Sequence, residues 1–269
     1  MTDSAKVILT PFIDAAAIQR RVLELADTIA KEVHSGELLV AGVLKGGFVF
    51  TADLVRVLNR LGIHVRIDFL RVSSYGSGTV SSGTPVLSGD LSEKLNGRRV
   101  LLVDDIVDTG RTSRFVHEKI MERRPAWLRT CVLLDKPRRR VVPFDADYIG
   151  FRVPDAFIVG YGLDYDNEYR DRPELSVIRF ADREPEPSFR FRIDGGTVLF
   201  KGHLDAKAAE DAGDTLLHWH TDLELDLSGM QGADRDGMNF LSRLRESLSD
   251  KGFKLSIRGM KRTLGDKQV

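Results

Sequence analysis

Apolar residues recur at Ile18, Val22, Leu25, Ala26 and Ile29, a spacing that predicts a helix over residues 14–34, ending near His34, Ser35 and Gly36. LLVAGVL at 38–44 has no polar face and predicts a strand covered on both sides. Lys45-Gly46-Gly47 breaks it, and FVFTADLVRVLNRLG follows as an amphipathic helix with Gly62 at its C-cap. VRIDFLRVSSY (65–75) predicts a strand, and GSGTVSSGTP (76–85) a mobile loop or the turn of a hairpin. VLLV at 100–103 predicts another strand buried on both faces, with a helix after it to about Glu122. WLRTCVLLD (127–135), then YIGFRV and FIVGYG around a Pro154-Asp155 turn, complete the pattern. Strands alternating with helices predict an α/β fold with a parallel sheet and right-handed crossovers, which binds ligands beyond the carboxyl ends of its strands.

The pattern changes at ADREPEPSFRF (181–191), where two prolines among charges carry no hydrophobic period and read as a linker. Beyond it lie a hairpin around Gly195-Gly196, a helix over about 204–218, the strand LELDLSGM, the helix MNFLSRLRESLSDKG and the strand FKLSIRGM. The expected organisation is a larger domain over 1–181, a linker over 182–189 and a smaller α/β domain over 190–269, with no internal repeat between them.

Composition narrows the partners. The 40 basic side chains balance 40 acidic ones, so no net charge draws the chain to nucleic acid or an anionic membrane, and anion recognition must be local. The single cysteine, Cys131, cannot form an internal disulfide, and its setting TCVLLD reads as a buried structural thiol. There is no basic leader followed by a long apolar run, and no stretch approaches ~18 consecutive apolar residues, so the protein is expected to be soluble and cytoplasmic. The six histidines lack metal-ligand spacing, and Arg138-Arg139-Arg140 reads as a solvated loop or a subunit contact.

The candidate chemistry lies where the parallel sheet would put it. VLLVDDIVDTGRTS (100–113) runs from a strand through Asp104, Asp105 and Asp108 into Thr109, Gly110, Arg111, Thr112 and Ser113. Backbone N–H groups and hydroxyls opening a helix suit a phosphate. The carboxylates would repel a bare phosphate but suit the hydroxyls of a ribose, directly or through Mg²⁺. Together they point to a sugar phosphate.

These residues resemble the phosphoribosyl pyrophosphate (PRPP) signature of the type I phosphoribosyltransferases. That signature alone leaves orotate, uracil and adenine enzymes open. GVLKGGFVFTADLVR, DFLRVSSYGSGT, VLLDKPRRR and YIGFRVPDAFIVGYGLDYDNEYRDRPELSVI resemble the hypoxanthine-guanine branch of the family, in order, over about residues 8–180. The resemblance implies a parallel sheet flanked by helices with a small hood, and transfer of a phosphoribosyl group to a 6-oxopurine in purine salvage. By resemblance, Asp104 and Asp105 bind the ribose hydroxyls with Mg²⁺, although some relatives have Glu first, and Asp108 is the general base or acid at purine N7. Asp108 through Ser113 cradle the 5′-phosphate. Lys45 and Gly46, at an unusual cis peptide, line the pyrophosphate, Asp164 ligates Mg²⁺, and Arg170 neutralises the leaving group. Lys136, as a donor-only ammonium, reads the purine O6. Phe157 stacks on the ring, and the Ile158 carbonyl accepts from a 2-amino group. Ser74 and Tyr75 belong to a flexible lid that excludes water. Relatives are dimers or tetramers, so a homo-oligomer is implied.

Residues 190–264 resemble a STAS domain through GGTVLFKGHLDAKAAEDA, LELDLSGMQGADRDGMNFLSRLRESL and KGFKLSIRGM. That implies an interaction or regulatory module with a protein partner, the alternative being a degenerate structural appendage. Signalling members carry a phosphorylatable serine where this chain has Asp236 before Gly237, so a kinase-driven switch is not implied. A non-catalytic sensor of nucleotide or PRPP is the rival to the enzyme; intact Asp108, Lys136, Asp164 and Arg170 favour catalysis.

Overall fold

Val100 to Val103, each at most 1% exposed, run through one of two sheets in the computed structural model, which describes residues 7–34, 36–74, 85–180 and 189–259. The described chain divides into two compact units.

One unit comprises residues 19–155 and 160–172. Its strands are β2 (Glu37–Leu44), β3 (His64–Ser74), β4 (Pro85–Gly89), β5 (Arg99–Val107), β6 (Trp127–Asp135) and β7 (Tyr148–Arg152), in the spatial order β4-β3-β2-β5-β6-β7. All neighbours are parallel except β4, which runs antiparallel to β3 as the second arm of a hairpin would. Helix α2 (Phe48–Arg60) connects β2 to β3, and α3 (Arg111–Met121) connects β5 to β6. Val116 and Ile120 of α3 pack with Leu39, Ala41, Val100 and Leu102 of the central strands, fixing the start of α3 at the carboxyl end of β5. Gly62 follows α2 in the left-handed region (φ 85°), donating its N–H to the Asn59 carbonyl at 2.9 Å, so the sequence-based C-cap stands one residue past the cap itself, Leu61. Cys131 is fully buried, and burial pushes its thiol far above the ordinary range, the state of an inert core group.

The other unit takes in residues 1–18, 156–159 and 173–269. It holds β1 (Val7–Ile13), β8 (Ile158–Val159), β9 (Leu175–Phe180), β10 (Phe189–Asp194), β11 (Thr197–Leu204), β12 (Leu223–Ala233) and β13 (Leu255–Arg258), ordered β13-β12-β11-β10-β1-β9-β8. Helices α4 (Ala206–Leu216) and α5 (Arg235–Asp250) follow β11 and β12, giving the expected strand and helix order beyond residue 189. Alternation puts Val198, Phe200 and Leu204 of β11 in the core, together with Leu223, Leu225 and Leu227 of β12. Asp234 caps α5 by accepting from the Gly237 N–H at 2.8 Å, and Asp236 lies inside its first turn, where its charge suits the helix dipole. Asp14 caps α1 (Ala15–Val33) through the Ala17 N–H at 2.8 Å, and its other carboxylate oxygen takes the Gly195 N–H of the β10–β11 turn at 2.9 Å.

The pattern-based reading missed β1, β4 and β9 and drew β5 too short. Strand β5 carries Asp104 and Asp105 within its ladder, where Asp104 stands opposite Val132 and Ile106 opposite Leu134. The carboxylates therefore lie in the last turns of the strand rather than beyond it. Strand β8 is only two residues, shorter than the run FIVGYG suggested.

Candidate active site

The segment after β5 is shaped by one glycine. Gly110 has φ 83°, and a Cβ there would stand 2.3 Å from the Val142 carbonyl oxygen, so no other residue fits without displacing backbone. It occupies the N-cap of α3 without a side-chain cap, which leaves the N–H groups of that helix start to an incoming anion. Ser113 is buried there, while Arg111 and Thr112 are exposed. The loop is pinned from the far side: Val141 and Val142 donate their N–H groups to the Thr109 carbonyl at 2.9 and 3.0 Å, and the Arg140 guanidinium donates to the Asp108 carbonyl.

Behind it lie the paired carboxylates. Asp104 is 6% exposed, and the Asp105 N–H donates to its Oδ1 at 2.9 Å. Burial holds the Asp104 carboxyl well above the usual range, with the Asp105 charge adding to it. Burial also raises Asp105, opposed by hydrogen bonds to its charged form and by Arg170. Two carboxyls this short of water call for hydroxyl donors or a cation. Gly46 makes room for them, since a Cβ at that position would lie 1.8 Å from Asp105 Oδ2.

The turn after β2 and the 160s loop meet at this place. The cis peptide is the Leu44–Lys45 bond, one bond ahead of the step suggested by resemblance. Lys45 Nζ donates to Asn167 Oδ1 at 3.3 Å, and the Asn167 N–H donates to Asp164 Oδ2 at 2.8 Å. Arg170 pairs with Asp164 at 2.6 Å and donates to the Gly162 carbonyl at 2.7 Å. Lys45, Gly46, Asp105, Asp164 and Arg170 thus form one cluster of opposed charges. Among the described residues, no group of three or more His, Cys, Asp or Glu side chains could hold a metal ion. Magnesium, which binds through one or two carboxylates and completes its shell with water and phosphate oxygens, fits such a donor set.

A second cluster sits at the adjoining ends of β5 and β6. Lys136 is 7% exposed, its N–H donating to the Val107 carbonyl at 2.9 Å. Burial lowers the pKa of its ammonium, while Asp108 and Asp155 oppose that shift. Arg139 reaches Asp108 Oδ1 at 2.8 Å and Asp155 Oδ1 at 3.3 Å. The two carboxylates raise the Arg139 pKa against the effect of burial, Asp108 contributing most. The arrangement sets a desolvated donor beside a carboxylate held through its Oδ1.

Within the 138–140 run, Arg138 and Arg139 are exposed, as a solvated loop requires, while Arg139 also pairs with the candidate base and Arg140 holds both its loop and the buried Asp135. Asn167 and Asp155 also went unnoticed. Phe157 and Ile158 belong to the other unit: Phe157 is 42% exposed and its carbonyl accepts from the Ile178 N–H at 2.8 Å, and Ile158 is buried opposite Val177. Of the expected lid, Ser74 ends β3 and Tyr75 lies outside the described residues.

A model of the phosphoribosyl transferase domain matches residues 14–166. A hypoxanthine-guanine phosphoribosyltransferase of Aquifex aeolicus (strain VF5) is 48% identical over 162 residues, 60% of this chain and 89% of that protein. One from Bacillus subtilis (strain 168) is 41% identical over 164 residues, 61% of this chain and 89% of its own. The crystal structure of a Bacillus anthracis hypoxanthine-guanine phosphoribosyltransferase superposes with a TM-score of 0.59 at 36% identity, covering 65% of this chain and all of that one.

Proposed function

The chain belongs to the phosphoribosyltransferase family, and from that premise we propose that it transfers the phosphoribosyl group of PRPP to N9 of hypoxanthine or guanine, releasing pyrophosphate. The observation that carries this reading is the buried Lys136 ammonium beside the Asp108 carboxylate at the ends of β5 and β6. A donor-only group favours an oxo substituent at purine C6 and disfavours the amino group of adenine. A desolvated ammonium does so more strongly than a solvated one, because an unmade hydrogen bond there has no water to replace it.

Asp108 takes the proton from N7 as N9 attacks C1′ and returns it in the reverse direction. Arg139 on Oδ1 orients that carboxylate and leaves Oδ2 for N7. Asp104 and Asp105 accept from the ribose 2′- and 3′-hydroxyls, while Thr109 to Ser113 hold the 5′-phosphate on the helix start. Lys45, the Gly46 backbone and Arg170 take the pyrophosphate, supplying positive charge where negative charge develops on the leaving group. Asp164, and separately the Asp104–Asp105 pair, would each hold a Mg²⁺ through one or two carboxylates, and the metal would supply further charge neutralisation. The roles of Phe157 and Ile158 at the purine and of Ser74 and Tyr75 as a lid rest on the family resemblance alone. So do a dimer or tetramer and a cytoplasmic setting; the latter accords with the lack, among the described residues, of a helix long and apolar enough to cross a membrane. Residues 190–269 form an interaction or regulatory module with a protein partner, a reading that rests on the STAS resemblance.

The test is nucleotide formation from hypoxanthine, guanine, xanthine and adenine, each with PRPP and Mg²⁺. Turnover of a 6-oxopurine with none of adenine is the expected result. Turnover of adenine at a comparable rate, or of no base at all, would overturn the proposal.

A further inference from the structure

Asp53 lies in the second turn of α2, and three side chains converge on its carboxylate, which is 16% exposed. The Tyr161 hydroxyl donates to Oδ2 at 2.5 Å and Gln19 Nε2 donates to the same oxygen at 3.0 Å, while Arg56 pairs with Oδ1. Tyr161 is 3% exposed. Burial, together with the bond to Asp53, pushes its phenol far above the ordinary range, so it remains a donor at every working pH. Its backbone has φ 50°, a region that a bulky residue adopts only where the surroundings impose it. A tyrosine held in that conformation by a bond reaching over 108 positions is a fixed point of the loop that carries it.

That loop is the one bearing Asp164 and Arg170. Its backbone is closed on both sides of the tyrosine. The Tyr161 N–H donates to the Arg172 carbonyl at 2.8 Å and the Gly162 N–H to the Arg170 carbonyl at 3.0 Å, while Gly160 and Leu163 exchange N–H···O bonds at 3.0 Å. Arg170 in turn donates from its guanidinium to the Gly162 carbonyl at 2.7 Å and pairs with Asp164. The residue after Tyr161 meets the other side of the site. A Cβ on Gly162 would stand 2.2 Å from the Gly46 carbonyl oxygen and 3.6 Å from Val49 Cβ, so the loop abuts both the Lys45-Gly46 turn and the first turn of α2. That turn is joined to the same helix: the Phe48 N–H donates to the Lys45 carbonyl at 3.3 Å, and Thr51 Oγ1 to the Gly47 carbonyl at 2.7 Å. Tyr161 thus grips α2 one turn beyond the place where Gly162 meets the residues leading into it.

We propose that Asp53 and Tyr161 are positioning residues for the pyrophosphate end of the site, setting Asp164 and Arg170 against the Lys45-Gly46 turn. The assignment deepens the proposed transfer reaction and rests on it for the identity of the ligand. Its physical basis is preorganisation: a loop fixed before the ligand arrives binds with the affinity of its competent form, and one that samples other positions loses affinity in proportion. The effect falls on one substrate. Lys136 and Asp108, on the purine side, are held through Val107, Arg139 and Arg140 instead.

The test uses the full chain and titrates pyrophosphate with Mg²⁺ calorimetrically into wild type, Tyr161→Phe, Asp53→Ala and Asp53→Asn. Steady-state KM values are measured for PRPP, and for hypoxanthine at saturating PRPP. Tyr161→Phe keeps the ring and removes the hydroxyl, while Asp53→Asn keeps an oxygen for Tyr161 and Gln19 and gives up the pair with the exposed Arg56. Tyr161→Phe and Asp53→Ala should weaken pyrophosphate binding and raise the PRPP KM about fivefold, the factor expected from losing one hydrogen bond, with the hypoxanthine KM within about twofold of wild type. Asp53→Asn should restore wild-type values. Circular dichroism spectra matching wild type verify that the variants are folded. Unchanged pyrophosphate affinity in Tyr161→Phe and Asp53→Ala would overturn the proposal. So would an equal rise in the hypoxanthine KM, which marks general loosening, or damage in Asp53→Asn equal to that in Asp53→Ala. Absence of pyrophosphate binding in the wild type would overturn it too. Binding is read without turnover, so a chain that binds pyrophosphate but converts no base refutes the transfer reading alone, and the comparison of variants still decides the positioning roles.

Discussion

Replacing Asp108 by Asn separates proton transfer from everything else the loop does. The substitution keeps the shape of the side chain and its acceptor oxygen, but the amide cannot take a proton from N7 at neutral pH. The main chain is held independently: Arg140 donates to the carbonyl of residue 108 and not to its side chain, and Val141 and Val142 hold the Thr109 carbonyl. The phosphate cradle should therefore survive. Among the described residues, the side-chain ion pair lost is the one with Arg139, whose members are 39% and 44% exposed, so the cost in stability should stay below about 1 kcal/mol. Loss of general base catalysis is worth about 10²- to 10⁴-fold, or roughly 3 to 5 kcal/mol of barrier. Steady-state rates with hypoxanthine, together with PRPP binding by calorimetry, should show kcat down by that factor and PRPP affinity nearly unchanged. A variant that turns over at a near-normal rate would refute the proton role. Loss of PRPP affinity in step with activity would show that residue 108 acts by shaping the loop.

Three further outcomes follow from burial and backbone geometry. Lys136→Met should abolish 6-oxopurine turnover yet raise the melting temperature near neutral pH, because burial lowers this lysine's pKa and its charged form costs stability wherever it is populated. The gain should shrink as pH rises through the lowered pKa towards the ordinary lysine range; an equal or lower melting temperature at neutral pH counts against it. Asp104→Asn should also stabilise the free protein near neutral pH, since the folded-state pKa is raised and the ionised pair is penalised above the ordinary carboxylate range. That advantage should vanish as pH falls below the unfolded carboxyl pKa, which melting curves from neutral to acid pH would test. Gly110→Ala, forced into φ 83° with its Cβ against the Val142 carbonyl, should cost more than about 1 kcal/mol in urea denaturation and weaken PRPP binding. Wild-type values for both would show that the turn relaxes freely.

What could be read from the sequence was local. The candidate loop over 108–113 was legible because Gly110 and the residues after it lie within one strand-to-helix turn. Lys136 was legible through its place at the end of β6. The grip of Arg139 on Asp108 spans 31 positions and depends on a short 3-10 turn at Pro137–Arg139, which no periodicity announces. Strand β1 was missed because VILTPFI combines a proline with a weak alternation, and its identity as a strand comes from β9 and β10 on either side. Asp104 and Asp105 read as the end of β5 because carboxylates are rare inside a buried ladder.

The place of β10 beside β1 has a consequence for how this chain could have grown. An uncovered strand at the rim of a sheet offers its backbone to any passing chain and invites aggregation. Here that rim is taken by the chain's own continuation, and Phe12 of β1 meets Phe191 of β10 edge to face at 5.4 Å. Cutting it off would uncover β1 at Ile13 and leave Phe12 without its aromatic partner.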